Sequence, residues 1–332
     1  MADARFDVVA IGNAIVDVIS RTPESFIAEH GLTKGSMQLL FSADAADALY
    51  ARMGPGIETS GGSAANTLAG LAALGLSCGF IGQVADDAFG RVFAHDLRAQ
   101  GVTFDTPARA GDPPTARCLI VVTPDGQRTM NTFLGASQFL PAAALDPALI
   151  AAAEILYLEG YLWDPEEPRA AMRSAIRIAR DARRRIAFTL SDVFCIDRHR
   201  GDFVRLIDDG QVDILFANEN ELLALEQSDD LDRAVQSVAA RVPTLVVTRS
   251  EKGALAVQNG VRAEVPAEPA VRVIDTTGAG DLFAAGFLAG QARGRSLTDS
   301  LVMGAVCAAE VIDHIGPRPQ ADIRQLVAQR LG

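Results

Sequence analysis

The sequence predicts an α/β protein in which a mostly parallel sheet is covered by helices on both faces. Two observations carry this prediction: short apolar runs recur along the chain, and amphipathic helical patterns separate several of them. Parallel strands joined through helices are buried on both faces, so they read as continuous apolar runs. The chain has 332 residues, 49% of them apolar, which is enough for a substantial core.

The individual elements follow from these runs and patterns. Strands are expected at residues 6–11, 118–123, 155–158, 186–190, 214–217 and 245–248. Helices are expected at residues 67–74, 169–184, 222–225, 231–240 and 282–288. Since no internal repeat and no long linker interrupts this succession, we expect residues 1–332 to form a single domain.

Two regions depart from the alternation, residues 14–42 and residues 105–135. In the second region, the turn sequence at 124–127 separates two strand-like segments, 119–122 and 129–133, and so predicts a hairpin. Together the two regions are expected to form a small β sheet. At the carboxyl edge of a parallel sheet, where ligands bind in such folds, this small sheet would serve as a lid.

The charge of the chain excludes some classes of partner. The formal net charge is −12 and the pI is near 4.8. Nucleic-acid grooves and proteins of anionic membrane surfaces usually carry basic stripes, so we expect neither kind of partner. A phosphate group would have to be bound by a local site.

Cysteine usage and the N-terminal residues indicate a cytoplasmic protein. The four cysteines are far apart and show no CxxC spacing, so we expect reduced interior thiols. Residues 6–12 lack a basic leader and are soon followed by polar residues, which is not typical of a signal peptide or a membrane span.

The segment at residues 275–281 is the most informative motif. A glycine-bearing turn, with Gly278, Ala279 and Gly280, leads Asp281 onto the start of an apolar helix. Unpaired amides and the helix dipole at such a turn favour a phosphoryl group, and Asp281 could accept the proton of an attacking hydroxyl. The dipole is expected to lower the pKa of Asp281. The alternative is that Asp281 only caps its helix.

Two glycine-bearing segments suit a polar ligand that carries hydroxyl groups. Residues 61–66 place Gly61, Gly62, Ser63 and Asn66 ahead of a helix, and residues 12–17 present Asn13 and Asp17 just past a strand. Asp17 could accept hydrogen bonds from two neighbouring sugar hydroxyls. The alternatives are a capped turn for the first segment and a solvated loop aspartate for the second.

Two later segments follow strands and suit a nucleotide. Asn218 and Glu221 come at the carboxyl end of a strand, where carboxylates often hold Mg²⁺ through water. Residues 248–253, with Thr248, Ser250 and Gly253, are positioned to line the phosphates and ribose of ATP. A helix cap at 218–221 and a plain hairpin turn at 248–253 remain the alternatives.

Taken together and in this order, these segments resemble the ribokinase-like (PfkB-type) family of sugar and nucleoside kinases. Residues 61–66 and 81–90 look like its N-terminal signature, residues 275–281 look like its C-terminal signature, and residues 218–221 fit its Asn-x-x-Glu element. The resemblance covers nearly the whole chain. The sequence departs from the family pattern at two positions. Ser250 stands where glycine is common, and Ala85 stands in the place of the glycine of a usual Gly-Asp-Asp.

The resemblance implies a Rossmann-like domain with a β lid and phosphoryl transfer from ATP with Mg²⁺ to a primary hydroxyl. It implies an anion hole at Gly278, Ala279 and Gly280, with Asp281 as base. It also implies a monovalent cation, usually K⁺, near Asp275, Thr277 and the loop at 315–317. That loop carries Gly316-Pro317-Arg318-Pro319 in place of the commoner Gly-Ala ending, and its proline lacks a backbone donor.

Within the family, residues 12–17 and 158–161 look most like adenosine kinases, in which an aliphatic residue and an aromatic residue sandwich the purine. Ile15 and Tyr161 match those two places. The resemblance therefore implies adenosine as the acceptor, with a ribokinase or fructokinase activity as the alternative and an idle nucleoside-binding relative as a further one. Monomer and homodimer are both left open by the sequence.

Overall fold

The structure, a computed structural model, describes residues 5–269 and 272–332 and shows a mixed α/β fold with two sheets. The strands are β1 Phe6–Ile11, β2 Ile15–Arg21, β3 Met37–Leu39, β4 Gly56–Gly61, β5 Cys78–Ile81, β6 Val102–Phe104, β7 Ala116–Val122, β8 Arg128–Phe133, β9 Ala153–Glu159, β10 Arg185–Thr189, β11 Ile214–Asn218, β12 Thr244–Thr248, β13 Ala254–Gln258 and β14 Val261–Val265. The α-helices are α1 Glu24–Glu29, α2 Ala43–Tyr50, α3 Ser63–Ala73, α4 Ala88–Ala99, α5 Pro147–Ala151, α6 Glu166–Asp181, α7 Val193–Asp208, α8 Glu219–Glu226, α9 Leu231–Ala239, α10 Ala279–Ala292, α11 Leu297–Val311 and α12 Ile323–Leu331.

Within the described residues, nine strands form the main sheet, in the order β14-β13-β12-β11-β10-β9-β1-β5-β6. Among the described strands, all pairs from β6 to β12 are parallel, and the pairs β12–β13 and β13–β14 at one edge are antiparallel. After β1 the chain adds β5 and β6 on one side and β9 to β12 on the other. The order thus reverses between β1 and β9, and ligands bind at such a point in open α/β sheets.

Both faces of the main sheet are buried, which explains the continuous apolar runs. Along β1, Val8 and Ala10 belong to one core cluster with helices α3, α10 and α11, whereas Val9 and Ile11 belong to a second cluster with α6 to α9. Successive side chains of a strand point to opposite faces, so both parities are apolar when helices cover both faces. The predicted fold class, an α/β sheet covered on two sides, is confirmed.

The second sheet has the strand order β3-β8-β7-β2-β4. Four of its strands fall within residues 14–42 and 105–135, and β4 comes from residues outside those ranges. Residues 118–122 of the predicted run at 118–123, of which 119–122 were expected in the small sheet, belong here to β7. Its apolar character arises because Leu119 and Val121 pack into a main core cluster while Cys118 and Ile120 pack on the other face.

Strands β5 and β6 extend the main sheet and have no counterpart among the predicted strands. They are four and three residues long, too short for a clear apolar run. They are held as strands because β5 pairs with β1 and β6 pairs with β5. Tertiary pairing, rather than local sequence, makes these two segments extended.

The cysteines and the helices of the described residues can be compared with the predictions of reduced thiols and of no membrane span. All four cysteines are buried and unpaired. Nowhere in residues 5–269 and 272–332 does a helix combine the length and apolar character that crossing a bilayer requires.

Candidate active site

A cavity of about 560 Å³ opens where the carboxyl ends of β1 and β9 to β12 meet the second sheet. Fourteen of the predicted site residues line it: Asn13, Ile15, Asp17, Gly62, Ser63, Asn66, Tyr161, Asn218, Glu221, Thr248, Thr277, Gly278, Gly280 and Asp281. Residues more than 200 positions apart in the chain thus face one space. The other predicted residues, Gly61, Ser250, Gly253, Asp275 and Ala279, are not among those that line it.

Asp281 lies in the first turn of α10 and faces the N-terminal end of α3. Gly278 occupies the N-cap position with φ of +80°, in the left-handed region that favours glycine. The carboxylate of Asp281 accepts hydrogen bonds from the Ser63 hydroxyl at 2.6 Å and from the Asn66 amide at 3.0 Å. Asp281 therefore does not cap its helix; two helix starts hold it from opposite sides.

The pKa of Asp281 is raised, contrary to the expectation from the helix dipole. Burial raises the pKa, and the hydrogen bonds from Ser63 and Asn66, together with the charge of Arg318, only partly offset that effect. Desolvation of the carboxylate outweighs the helix N-terminus here. A carboxylate with a raised pKa is a better proton acceptor than the sequence suggested.

The turn ahead of α10 supplies amides for an anion. The first amides of a helix have no partner within it, and Gly278 and Gly280 of this turn line the cavity. The Ala279 N–H instead donates to the Thr276 carbonyl at 3.2 Å. Of the three predicted anion-hole residues, Ala279 is thus already engaged within the turn.

Asp17 is a buried carboxylate on β2, not a solvated loop residue. Gly61 on the paired strand β4 lies against it, and a Cβ on Gly61 would fall 2.4 Å from the Asp17 carboxyl carbon. Burial raises the pKa of Asp17 to about 6, against the opposing charges of Arg318 and Arg128. Gly61 thus leaves the room that Asp17 needs.

Glu159, at the end of β9, joins the two glycine-bearing segments, and the sequence analysis did not single it out. Its Oε1 accepts hydrogen bonds from the Asn13 backbone N–H and side-chain amide, both at 2.7 Å, and its Oε2 accepts the Ala64 N–H at 2.8 Å. Burial raises the pKa of Glu159 to about 7, while these hydrogen bonds favour the charged form. A carboxylate at the end of a buried apolar strand was the signal that could have identified it.

Asn218 and Glu221 form a reciprocal capping box at the start of α8, the alternative that the sequence had left open. The Asn218 backbone N–H and side-chain amide donate to the two Glu221 oxygens at 3.0 and 2.6 Å, and Asn218 Oδ1 accepts the Glu221 N–H at 2.9 Å. Burial raises the pKa of Glu221 to about 7. Since a carboxylate has about four lone-pair sites, each Glu221 oxygen can still accept a bond from a metal-bound water.

The remaining predicted nucleotide segment is the turn between β12 and β13. These two strands pair antiparallel, so the segment is also a hairpin. Thr248 lines the cavity, whereas Ser250 and Gly253 have positive φ of +52° and +86° and shape the turn behind it. A Cβ on Gly253 would lie 2.1 Å from the Val265 carbonyl oxygen, so this glycine allows the close approach of β14.

Two arginines behind the cavity were also not singled out as site residues. Arg128, on β8, pairs with Asp275. Arg318 donates to the Ala65 carbonyl at 2.8 Å and to the Ser60 hydroxyl at 2.9 Å. Burial lowers the pKa of Arg318 to about 10, although Asp17, Asp96 and Asp281 favour its charge. The two guanidinium groups balance the cluster of carboxylates at this end of the sheet.

The side chains of the cavity wall indicate where a divalent cation would bind. Among residues 5–269 and 272–332, no group of three or more His, Cys, Asp or Glu side chains is arranged to hold a metal ion. Mg²⁺ that is bound through one or two carboxylates, water and substrate phosphates needs no such group. Glu221 and Asn218, on the cavity wall, suit that indirect mode.

Comparison with known proteins shows what the whole chain is similar to. Residues 49–324 match the pfkB family of carbohydrate kinases. A solved probable sugar kinase from Rhizobium etli is 47% identical, with a TM-score of 0.91 over 98% of this chain and 99% of that chain. The adenosine kinase of Sinorhizobium meliloti is 48% identical, with a TM-score of 0.90 over 98% of this chain and 100% of that chain. The fructokinase of Klebsiella pneumoniae is 32% identical over 251 residues, 71% of this chain and 78% of the fructokinase.

Proposed function

Because this chain belongs to the pfkB family of carbohydrate kinases and is an ATP-dependent phosphotransferase acting on an alcohol group, we propose that it phosphorylates the 5′-hydroxyl of adenosine. The family includes both sugar kinases and nucleoside kinases. The choice between them depends on what the cavity wall offers beyond the groups that hold a sugar.

The observation that supports a nucleoside is the apolar wall that the second sheet gives to the cavity. Aliphatic and sulfur-bearing side chains line it on that side: Ile15, Met37, Leu39, Cys118, Ile120, Met130 and Leu134. A free sugar presents hydroxyl groups in every direction and would leave them unpaired against such a surface. A purine presents two apolar faces, and these suit the apolar wall of the cavity.

Tyr161 provides an aromatic ring in the same cavity, and its position is fixed from two points. Its backbone N–H donates to the Ser191 hydroxyl at 3.2 Å, and its phenol donates to the Ser191 carbonyl at 3.1 Å. The ring therefore needs little further ordering when a base stacks on it. Ile15 and Tyr161 are the pair that we propose to sandwich the purine.

The polar residues that line the cavity suit the ribose. We assign the sugar hydroxyls to Asp17, Gly62 and Asn66, with Asn13 and Ser63 beside them. This leaves the 5′-hydroxyl directed at Asp281. The bond between the γ-phosphorus and the bridging oxygen breaks, ADP leaves, the 5′-oxygen bonds to phosphorus, and the hydroxyl proton passes to Asp281. The amides of Gly278 and Gly280 stabilise the charge on the migrating group.

ATP is assigned to the wall formed by Asn218, Thr248 and the Gly278 turn. Glu221 and Asn218 would hold Mg²⁺ through water, and the ion would neutralise charge on the phosphate oxygens. The second sheet is assigned the role of a lid. A lid keeps water from the phosphoryl group until the acceptor is in place.

A panel of acceptors tests this proposal directly. Purified protein is incubated with ATP, Mg²⁺ and adenosine, inosine, ribose or fructose, and ADP release is measured. We expect the highest kcat/KM with adenosine. Phosphorylation of fructose or ribose without adenosine would overturn the proposal in favour of a sugar kinase, the activity of the Klebsiella relative.

Removal of the aromatic ring of Tyr161 should weaken binding of the base without changing binding of the sugar. In Tyr161→Ala we expect KM for adenosine to rise about ten- to hundredfold, because stacking on one aromatic residue contributes about 1–3 kcal/mol. KM for ribose should not change. Tyr161→Phe is the matched control, since it keeps the ring and loses only the bond to Ser191. Equal losses for adenosine and ribose would contradict the stacking role.

The raised pKa of Asp17 predicts how acceptor binding depends on pH. Above about pH 6 the carboxylate is ionised and accepts two hydroxyl hydrogen bonds; below it the carboxyl group is protonated and loses part of that capacity. Acceptor affinity should therefore fall as the pH drops below about 6, by at most about tenfold per pH unit. Titrations of adenosine binding across this range measure the effect.

Two variants identify the group responsible for this pH dependence. Asp17→Asn should bind weakly at every pH, with a flat profile. Asp281→Asn should keep the acid limb but move it to slightly lower pH, because the Asp281 charge contributes to raising the pKa of Asp17. An acid limb that persists in Asp17→Asn would rule out this assignment.

A further inference from the structure

Family resemblance implies a monovalent cation between residues 275–277 and the loop at 315–317, and the structure brings these two segments together. The Gly316 N–H donates to Asp275 Oδ2 at 2.9 Å. The Ile274 N–H donates to the Ile312 carbonyl at 2.8 Å, which further joins the two segments. Pro317 packs against Gly278, where a Cβ would lie 2.7 Å from the proline Cβ. The place expected for the cation is thus closed by direct contacts.

The groups around Asp275 do not fit a cation. Its Oδ1 accepts the Thr277 N–H at 3.0 Å, and its Oδ2 accepts both the Gly316 N–H and Arg128 Nη1. Hard cations take oxygen ligands, whereas the contacts here are made by N–H donors. A positively charged group, the Arg128 guanidinium, already lies on the one carboxylate that would serve as ligand.

Arg128 is built into the second sheet and reaches Asp275 from 147 residues away. The two side chains are only 7% and 3% exposed. A buried carboxylate needs a nearby opposite charge, and loss of one partner of such a pair is strongly destabilising. The pKa of Asp275 shows the balance: burial opposes ionisation, yet the Arg128, Gly316 and Thr277 hydrogen bonds hold the pKa below its usual value.

We propose that the Arg128 guanidinium takes the place of the monovalent cation at Asp275. Arg128 is then a positioning residue: it fixes Asp275, Asp275 fixes the Thr277 amide, and the Gly278 turn follows directly. The inference rests on the proposed role of that turn as the anion hole. A covalently attached charge needs no binding step, so the enzyme works equally well without K⁺.

The first test uses the unmodified protein. Its rate and its melting temperature are measured in potassium chloride and in tetramethylammonium chloride at equal ionic strength, which keeps screening constant. We expect neither quantity to differ between the two salts. Higher activity together with a higher melting temperature in K⁺ would overturn the proposal. The melting measurement needs no substrate, so its outcome is independent of whether adenosine is the acceptor.

The second test removes the built-in charge. In Arg128→Ala we expect kcat to fall about 10²-fold, the loss that follows when reacting groups are displaced by about 1 Å. Added guanidinium or K⁺ at low concentration should restore part of the rate and raise the melting temperature. Arg117→Ala is the matched control, because Arg117 is also a buried arginine of the second sheet but pairs with Asp47. It should show no response to either cation.

The outcomes of the second test decide between a positioning and a purely structural role. A folded Arg128→Ala that neither guanidinium nor K⁺ improves overturns the proposal. Should Arg128→Ala fail to fold, Arg128→Lys keeps the charge but not the planar fork. That variant is expected to stay indifferent to K⁺, and a K⁺ requirement in it would count against the proposal.

Discussion

Replacement of Asp281 by asparagine is expected to reduce kcat by about 10²- to 10⁴-fold, the usual contribution of a positioned general base. Adenosine should still bind with nearly unchanged affinity, because asparagine has the same shape. The neighbours can adapt: Asn66 Oδ1 has no hydrogen-bond partner within the described residues and can accept an N–H after an amide flip. Rate measurements give kcat, a binding titration gives the affinity for adenosine, and a melting curve checks that the variant is folded.

Ser63→Ala is the control for Asp281→Asn. It removes the 2.6 Å hydrogen bond to Asp281 but leaves the carboxylate in place. We expect a much smaller loss of kcat and a shift of the acid limb of kcat/KM to higher pH, because a hydrogen bond that favours the charged form of Asp281 is gone. An Asp281→Asn variant as active as the unmodified protein would refute the role of Asp281 as base.

Replacement of Gly278 by alanine is expected to have the second-largest effect. The residue has φ of +80°, which costs a non-glycine residue about 1–2 kcal/mol. In addition, the new Cβ would lie 2.7 Å from Pro317 Cβ, so the turn must move. We expect a lower melting temperature and a fall in kcat of about 10²-fold, since the amides leave their positions around the phosphoryl group.

Gly280→Ala is the matched control, two residues further along the same turn. A Cβ there meets nothing within 4 Å, and φ is not positive. Its melting temperature should therefore match that of the unmodified protein, and any change in KM for ATP reports only the methyl group at the cavity wall. If Gly278→Ala retained full activity and stability, the anion hole would have to be sought elsewhere.

Much of the fold could be predicted from the sequence, because local patterns specify it. The runs at 6–11, 155–158, 214–217 and 245–248 fall within β1, β9, β11 and β12, and the run at 186–190 extends one residue past the end of β10. The α/β fold class and the family are confirmed. The short strands β5 and β6 could not be predicted, since three or four residues carry too little pattern. The roles of the site residues stay predictions for the variants above.

The candidate site was predicted less evenly. The capping box of Asn218 and Glu221 spans only four residues, so both partners are visible in the local sequence, and the cap was left open as an alternative. The pKa of Asp281 was predicted in the wrong direction, because the dipole of the helix is visible in the sequence and the burial of the side chain is not. Glu159 and Arg128 were not recognised, because their partners lie 146 and 147 residues away.

By itself the sequence determined the pieces of the site: a glycine that permits a left-handed turn, a carboxylate on the first helical turn after it, and polar residues at the ends of apolar strands. Such features depend on spacings of a few residues, which backbone geometry converts directly into local structure. Only the tertiary structure decided which buried polar and charged side chains pair with each other. Ser63 reaches Asp281 across 218 residues, and Arg128 pairs with Asp275. The partner of a buried charge depends on how distant elements pack, and packing has no local code in the chain.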